Sequence, residues 1–276
     1  MVESRPSVPS DVKRLLRQEA GFGCAKCGFP FCEYHHIIEY SIENHFRPED
    51  MVAFCPNCHH EATVGAMTIE EQRKYKKQPY NLDRGFAEGQ LKINQQSVVV
   101  NCGSIQFVND GFLFVIDEEP LFSVGSNNGM LEISLTLYDK NDSLLLVIDK
   151  NNWIQGDPFI WDLEYGFRWI KLRTKNREIN LYIDARQEPI NIRADLWRRG
   201  HNIRINKVGV YLNKKQSEAF MANLCYVGIY INVDTEIKKI TLVPDPRFGK
   251  GNIISDSNIN ERIKKGIQAL ENIQRS

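Results

Sequence analysis

The sequence predicts an α+β chain, with a small cysteine-stapled module first and an all-β domain after it that closes with a helix. Three observations carry this. Two Cys-x-x-Cys pairs stand close together at Cys24–Cys27 and Cys55–Cys58. From about Leu91 onward, short apolar runs alternate with turn residues, and Leu131, Ile133, Leu135 and Leu137 alternate strictly, as in a half-buried strand. At the end, Ile259, Ile263, Ile267 and Leu270 return to helical spacing. On this reading residues 1–90 form one domain and residues 91–276 a second.

Composition bounds the class. With 42% apolar and 25% charged residues the chain is of globular type. It has no run near the roughly 20 apolar residues that span a bilayer. Met1–Pro9 has no apolar h-region, so a secretory leader is not expected, and a cytoplasmic setting without membrane contact is. Seven cysteines with four in tight pairs then point to metal before disulfides. Cys102 and Cys225 are expected to be buried thiols, and Cys32 is a spare thiol near the first pair. Basic and acidic residues balance at 35 each, so any nucleic-acid footprint has to be local.

Along the first domain, Ser10 is a good N-cap, and Val12, Leu15 and Leu16 repeat at helical spacing up to Gly21. Gly23 and Gly28 flank the first knuckle and permit its tight turn. Strand is expected around His35–His36, within the aromatic and β-branched run from Phe29 to Tyr40. Ser41–Asp50 is a polar loop and Met51–Phe54 is apolar. Behind the second knuckle, His59 and His60 open a helix. Thr68-Ile-Glu-Glu71 is a capping box that starts another helix, which Pro79 stops.

Two knuckles can supply four thiolates to one Zn²⁺ in a closed structural site. The 27 residues between them are more than such a site needs, and they contain His35 and His36. Neighbouring strand residues point to opposite faces. One of these histidines can therefore bind a cation while the other reaches a water, and His59 is placed as a second cation ligand. A divalent ion and a neutral imidazole are the parts that phosphodiester hydrolysis needs.

This combined pattern, from Cys24-x-x-Cys27 through His35-His36-Ile37-Ile38 to Asp50 and Cys55-x-x-Cys58-His59, resembles the HNH endonucleases of the ββα-metal class. The resemblance covers roughly Arg14–Thr63. It implies that Cys24, Cys27, Cys55 and Cys58 hold structural Zn²⁺. It further implies that His35 and His59 bind a catalytic ion, Mg²⁺ or similar, and that His36 is the general base. The family's central Asn falls on Asp50, which can accept a hydrogen bond from an imidazole N–H and so strengthen the base, but cannot donate as Asn does. The implied activity is cleavage of DNA, by nicking or double-strand cutting, in a setting such as restriction or phage defence. A non-catalytic zinc-binding adaptor is the competing reading. His45 and His60 match no role in the family and are expected at the surface, with phosphate contact the alternative for His45.

The second domain carries strand candidates at 97–100, 105–108, 112–116, 144–148, 179–183, 203–205, 208–212, 226–233 and 237–243. Asn109-Asp110-Gly111, the 125–129 stretch, Asn151-Asn152 and Pro244-Asp-Pro246 separate several of them. Apolar strands end in Asp117, Asp149 and Asp184, spaced 32 and 35 residues apart. A sandwich is the preferred architecture, with a stacked β-solenoid as the alternative. Between Arg193 and Lys215 there are seven basic residues against one acid, with Trp197 and Tyr211 among them. Arg198, Arg199, Arg204 and Lys207 here, and Arg73, Lys74 and Lys77 in the first domain, are the candidates for phosphate contact. Trp153, Trp161 and Trp169 are either core residues or anchors for a second copy or a protein partner.

Overall fold

The computed structural model describes residues 6–156, 160–212, 219–237, 239–246, 252–255 and 268. Helix α1 (Ser10–Glu19) starts one residue earlier than its sequence signal: Pro9 is the capping position, and Ser10 is the first helical residue without a side-chain cap. Strands β1 (Glu33–His36) and β2 (Met51–Phe54) pair antiparallel, with His35 opposite Val52 and His36 opposite Met51. Helix α2 (Pro56–Thr63) follows β2 directly, with Pro56 at its first turn, a position where the missing N–H costs nothing. Helix α3 (Ile69–Lys77) has the predicted capping box at Thr68 and Glu71, and α4 (Tyr80–Arg84) closes the module. β2 is buried along its whole length. Ala20, Ile37, Val52, Phe54 and Met67 pack around the cysteines as a small separate core.

The β-rich domain consists of two sheets around one shared apolar core. The first has eight strands, in spatial order Lys239–Pro244, Ile229–Asp234, Gly111–Ile116, Glu119–Asn127, Met130–Tyr138, Leu144–Asp149, Asn152–Gln155 and Glu88–Gln90. The second runs Asp162–Gly166, Trp169–Arg173, Leu181–Asp184, Ile190–Arg198, Val99–Cys102, Ile105–Val108, Leu224–Val227 and Asn252–Ser255. A branch from Ile190–Arg198 adds His201–Ile205, Val210–Leu212 and Ala219–Met221. Phe107 of one sheet meets Phe114 of the other at 5.2 Å between ring centroids. Phe22 and Ala87 of the N-terminal part also enter this larger core.

Three expectations need correction. The strands ending in Asp117, Asp149 and Asp184 do not stack as repeats. The first two lie in one sheet with two strands between them, and the third lies in the other sheet. Most neighbouring strands run antiparallel, which rules out solenoid coils. The apolar run 226–233 is two strands in two different sheets, broken at Gly228 with φ +59°. Its apolar texture is unbroken because both halves bury side chains. The expected turn over 125–129 shrinks to Asn128-Gly129, both with positive φ, the geometry of a tight hairpin; Gly125, Ser126 and Asn127 pair in the strand before it.

Helix α1 lies against the β-rich domain. The Trp161 ring is flanked by the guanidinium groups of Arg14 at 4.3 Å and Arg173 at 5.0 Å, and Phe31 stacks on Phe167 at 4.9 Å. Trp153 is a core residue. The C-terminal helix expected around Ile259, Ile263, Ile267 and Leu270 lies outside the described residues except for Gln268, which is helical. Among the described residues no helix is long and apolar enough to cross a membrane.

Candidate metal centre and active site

Two tight turns bring four thiols together. In the first, the Cys24 N–H donates to the Phe29 carbonyl and the Gly28 N–H to the Cys24 carbonyl, each at 2.8 Å. Gly28 takes φ +77°, and a Cβ there would stand 2.4 Å from Asn81 Oδ1. Asn81, on α4, donates from Nδ2 to the carbonyls of Gly21 and Gly28 and so locks this turn from behind. The second pair sits at the start of α2, where the His59 N–H donates to the Cys55 carbonyl.

The sulfurs of Cys24, Cys27, Cys55 and Cys58 lie within 4.8 Å of one another. Cys27 Sγ is 3.7 Å from Cys55 Sγ and 3.9 Å from Cys58 Sγ. A tetrahedral zinc with Zn–S bonds of about 2.3 Å separates its sulfurs by about 3.8 Å. The chain therefore presents a cage of zinc dimensions, and none of its seven cysteines forms a disulfide. Cys32 stays outside the cage and donates to the Phe29 carbonyl. Burial and the neighbouring Cys55 thiol push Cys58 up to about 12, so a metal entering the cage displaces protons as it binds.

The histidines divide over the two faces of β1. His35 shares its face with Glu33, and its ring lies 5.0 Å from that of His59 on α2, edge to face. His59 Nδ1 is 2.5 Å from Glu33 Oε2. A ring that donates from Nδ1 to this carboxylate keeps its Nε2 lone pair for a cation, the arrangement by which a carboxylate orients a ligating histidine. His36, on the other face, is buried. Its ring is enclosed by Tyr40, His45 and Phe46 at 5.1 to 5.9 Å. Its Nε2 lies 3.0 Å from the His45 carbonyl oxygen. A carbonyl only accepts, so Nε2 carries the hydrogen, and in the neutral ring Nδ1 is the nitrogen with the lone pair. One strand thus carries His35, set against His59, on one face and the buried His36 on the other.

Residues 24–64 match the family model for HNH endonuclease. The matched stretch begins at the first cage cysteine and ends just past α2, so it contains the thiol cage and all three histidines. No curated protein and no solved structure matches the chain.

Asp50, within the stretch that matches the HNH model, has two guanidinium partners. Arg47 Nε donates to Oδ2 at 3.0 Å and Arg73 Nη2 to Oδ1 at 2.5 Å. These hydrogen bonds, from Arg73 first, hold the Asp50 carboxyl below its usual range. The Asp50 carbonyl also accepts from the Ile37 N–H, next to His36. Asp50 thereby ties down both ends of the loop that carries the His45 carbonyl. His45, expected at the surface, is 7% exposed. The Arg47 N–H donates to its Nδ1, and its Nε2 therefore donates to the Ile38 carbonyl, so both ring nitrogens brace the loop. His60 is exposed, as expected.

The candidate phosphate contacts separate into tied and loose groups. Arg73 is committed to Asp50 and the Glu49 carbonyl, while Lys74 and Lys77 are exposed on α3. Arg198 pairs with Glu119 at 2.6 Å and faces Asp142, and Arg199 pairs with Asp117 at 3.1 Å. Arg204 reaches Asp195 at 3.4 Å, and Lys207 is exposed. Sequence reasoning missed Glu33, Arg47 and Asn81. Only Glu33 had a local signal, because a residue two before His35 on a strand shares its face.

Proposed function

We propose that the HNH module, within a domain spanning residues 1–90, is a metal-dependent endonuclease that hydrolyses DNA phosphodiester bonds. The β-rich domain over 91–276 serves targeting or regulation. The observation that carries this reading is the His36 Nε2 bond to the His45 carbonyl, set on the strand whose opposite face pairs His35 with His59. Cys24, Cys27, Cys55 and Cys58 hold structural Zn²⁺ and keep β1, β2 and α2 in place. His35 and His59 are the ligands for Mg²⁺ or a similar ion, which when bound supplies positive charge to the phosphate. His36 takes a proton from the attacking water at Nδ1, and the His45 carbonyl holds the ring in the tautomer that can do so. Asp50 acts through the loop, fixing the segment that presents this carbonyl.

One such site cuts one strand. Nicking is the outcome for a single copy, and double-strand cutting needs a homo-oligomer or two successive events. Seven thiols without a disulfide suit a reducing, cytoplasmic compartment. A role in restriction or phage defence belongs to the same reading. A zinc adaptor would need only the cysteines, whereas this chain keeps three histidines in complementary settings.

The test is plasmid cleavage with Mg²⁺ or Mn²⁺ by the full chain and by His36→Ala. Conversion of supercoiled DNA by the wild type and its loss in the variant is the expected result. Equal cutting by both, or none by the wild type on any DNA, refutes the assignment and leaves the adaptor.

A further inference from the structure

A cleft of about 990 Å³ lies in the β-rich domain, far along the sequence from the HNH module. Its walls are the 174–180 connection, the strands Ile190–Arg198 and His201–Ile205 with the turn after it, and Asp139-Lys140. Six basic and three acidic residues line it. The acids are largely engaged: Asp195 accepts from Asn202 and Arg204, Glu178 pairs with Lys175, and Asp139 caps its own turn. Among the described residues, no carboxylate lies within ion-pair distance of Lys140, Arg177, Arg193 or Lys207. Arg193 rests its guanidinium over the Tyr182 ring at 5.6 Å. Trp197 lines the cavity, and Ile179 and Val208, 40% and 57% exposed, stand on its rim.

We propose that this cleft holds a single nucleic-acid strand. Four cations facing one concavity without acidic partners match a run of phosphates, which supply the missing countercharge. The indole and the apolar rim offer contact to base faces, which an unpaired strand exposes and a duplex hides in its stack. The cleft also explains a contrast within one basic stretch. Arg198 and Arg199 are neutralised by Glu119 and Asp117, while Arg193 and Lys207 are left for a ligand. The wall at 174–180 follows directly on Arg173, which meets the carboxylate that anchors α1, so the strand is bound on the element that joins the nuclease. The inference rests on the nuclease reading only in linking this strand to cleavage.

Binding is measured by fluorescence anisotropy with the full-length His36→Ala chain in zinc-containing buffer free of Mg²⁺. The probes are a labelled oligo(dT), an oligo(U) and a mixed-sequence duplex, over a range of salt. In the Arg177→Gln, Arg193→Gln, Lys207→Gln triple variant we expect strand affinity to fall at least about tenfold. The log–log salt slope should drop by roughly 2, near 0.7 for each lost contact to a single strand. Trp197→Ala should weaken binding about tenfold with the slope unchanged, and Arg198→Gln with Arg199→Gln should leave both unchanged. Preference for oligo(dT) or oligo(U) sets the kind of strand. The proposal is overturned if the triple variant binds like its parent, if the duplex binds better than either strand, or if a mononucleotide competes as well as the oligomer. Plasmid cleavage by the unmutated chain is scored separately. Lost cleavage with cleft-dependent binding counts against the nuclease, and kept cleavage with cleft-independent binding counts against the cleft.

Discussion

Arg17 of α1 grips the carboxylate of Asp162 in the β-rich domain with two parallel hydrogen bonds, Nε to Oδ1 and Nη2 to Oδ2, each 2.9 Å. Asp162 is fully buried and also accepts from Arg173. Burial is the largest single influence and opposes the charge on Arg17, but the hydrogen bonds and charge interactions with Asp162 and Tyr34 together outweigh it and raise its pKa. The same guanidinium donates from Nη1 to Tyr34 Oη, beside His35. A paired buried charge costs little to keep and much to orphan. Asp162→Ala, which strands the Arg17 guanidinium and leaves Arg173 with Glu164 alone, should therefore lower stability by about 3–5 kcal/mol. Urea unfolding measures this, and a loss under about 1 kcal/mol would show that the junction does not depend on the carboxylate.

Glu33 is expected to act on the cation through His59. Glu33→Gln keeps the shape but weakens the hold on Nδ1, and lost outer partners of metal ligands cost roughly 10–100-fold in affinity. Calorimetric titration of Mn²⁺ into the zinc-loaded His36→Ala chain reads the effect directly. Unchanged Mn²⁺ affinity would reduce Glu33 to a surface residue.

The thiol cage can be tested by metal content. Wild type should carry one zinc per chain and Cys55→Ser none. A chelator should then abolish the His35 and His59 NMR dispersion while the far-UV strand signal of the β-rich domain persists, since the two regions have separate cores. Loss of the whole fold on chelation would mean that the cores are not independent.

Asp50 contributes a pH-dependent hold on the loop between Ile37 and Asp50. Its carboxyl is depressed by Arg73 and Arg47. The stabilisation is therefore complete above the ordinary aspartate range and fades as pH falls through the lowered value. Asp50→Asn should flatten this acid-side slope in urea unfolding measured across pH. It should also cut kcat roughly 10–100-fold at neutral pH, since a small displacement of the base is costly. An unchanged acid limb would separate Asp50 from the loop's stability.

Much of the site was legible because its signals are local. Cys-x-x-Cys spacing fixes the thiols within one turn, and adjacent strand residues must diverge, so the split between His35 and His36 could be read from two letters. Alternation at 131–137 likewise marked a strand. What stayed hidden depends on distant partners. Glu33 gains its role only when α2 brings His59 over β1. The basic run at 193–207 looked uniform, yet Glu119, Asp142 and Asp117, remote in sequence, neutralise Arg198 and Arg199 and leave Arg193 and Lys207 facing the cleft. The break at Gly228 was masked because residues on both sides of it are equally apolar.

That break has an architectural consequence. The chain passes from one sheet to the other at Gly228, and its parallel neighbour does the same between Val108 and Gly111. Side-chain contact alone lets stacked layers slide, but a taut backbone does not lengthen. The two crossings act as a seam that fixes how the layers line up, much as stitching holds two sheets of cloth. A gene split at this corner would open one of these two crossings, whereas a split at Asn128-Gly129 would cut only a hairpin tip and leave both whole.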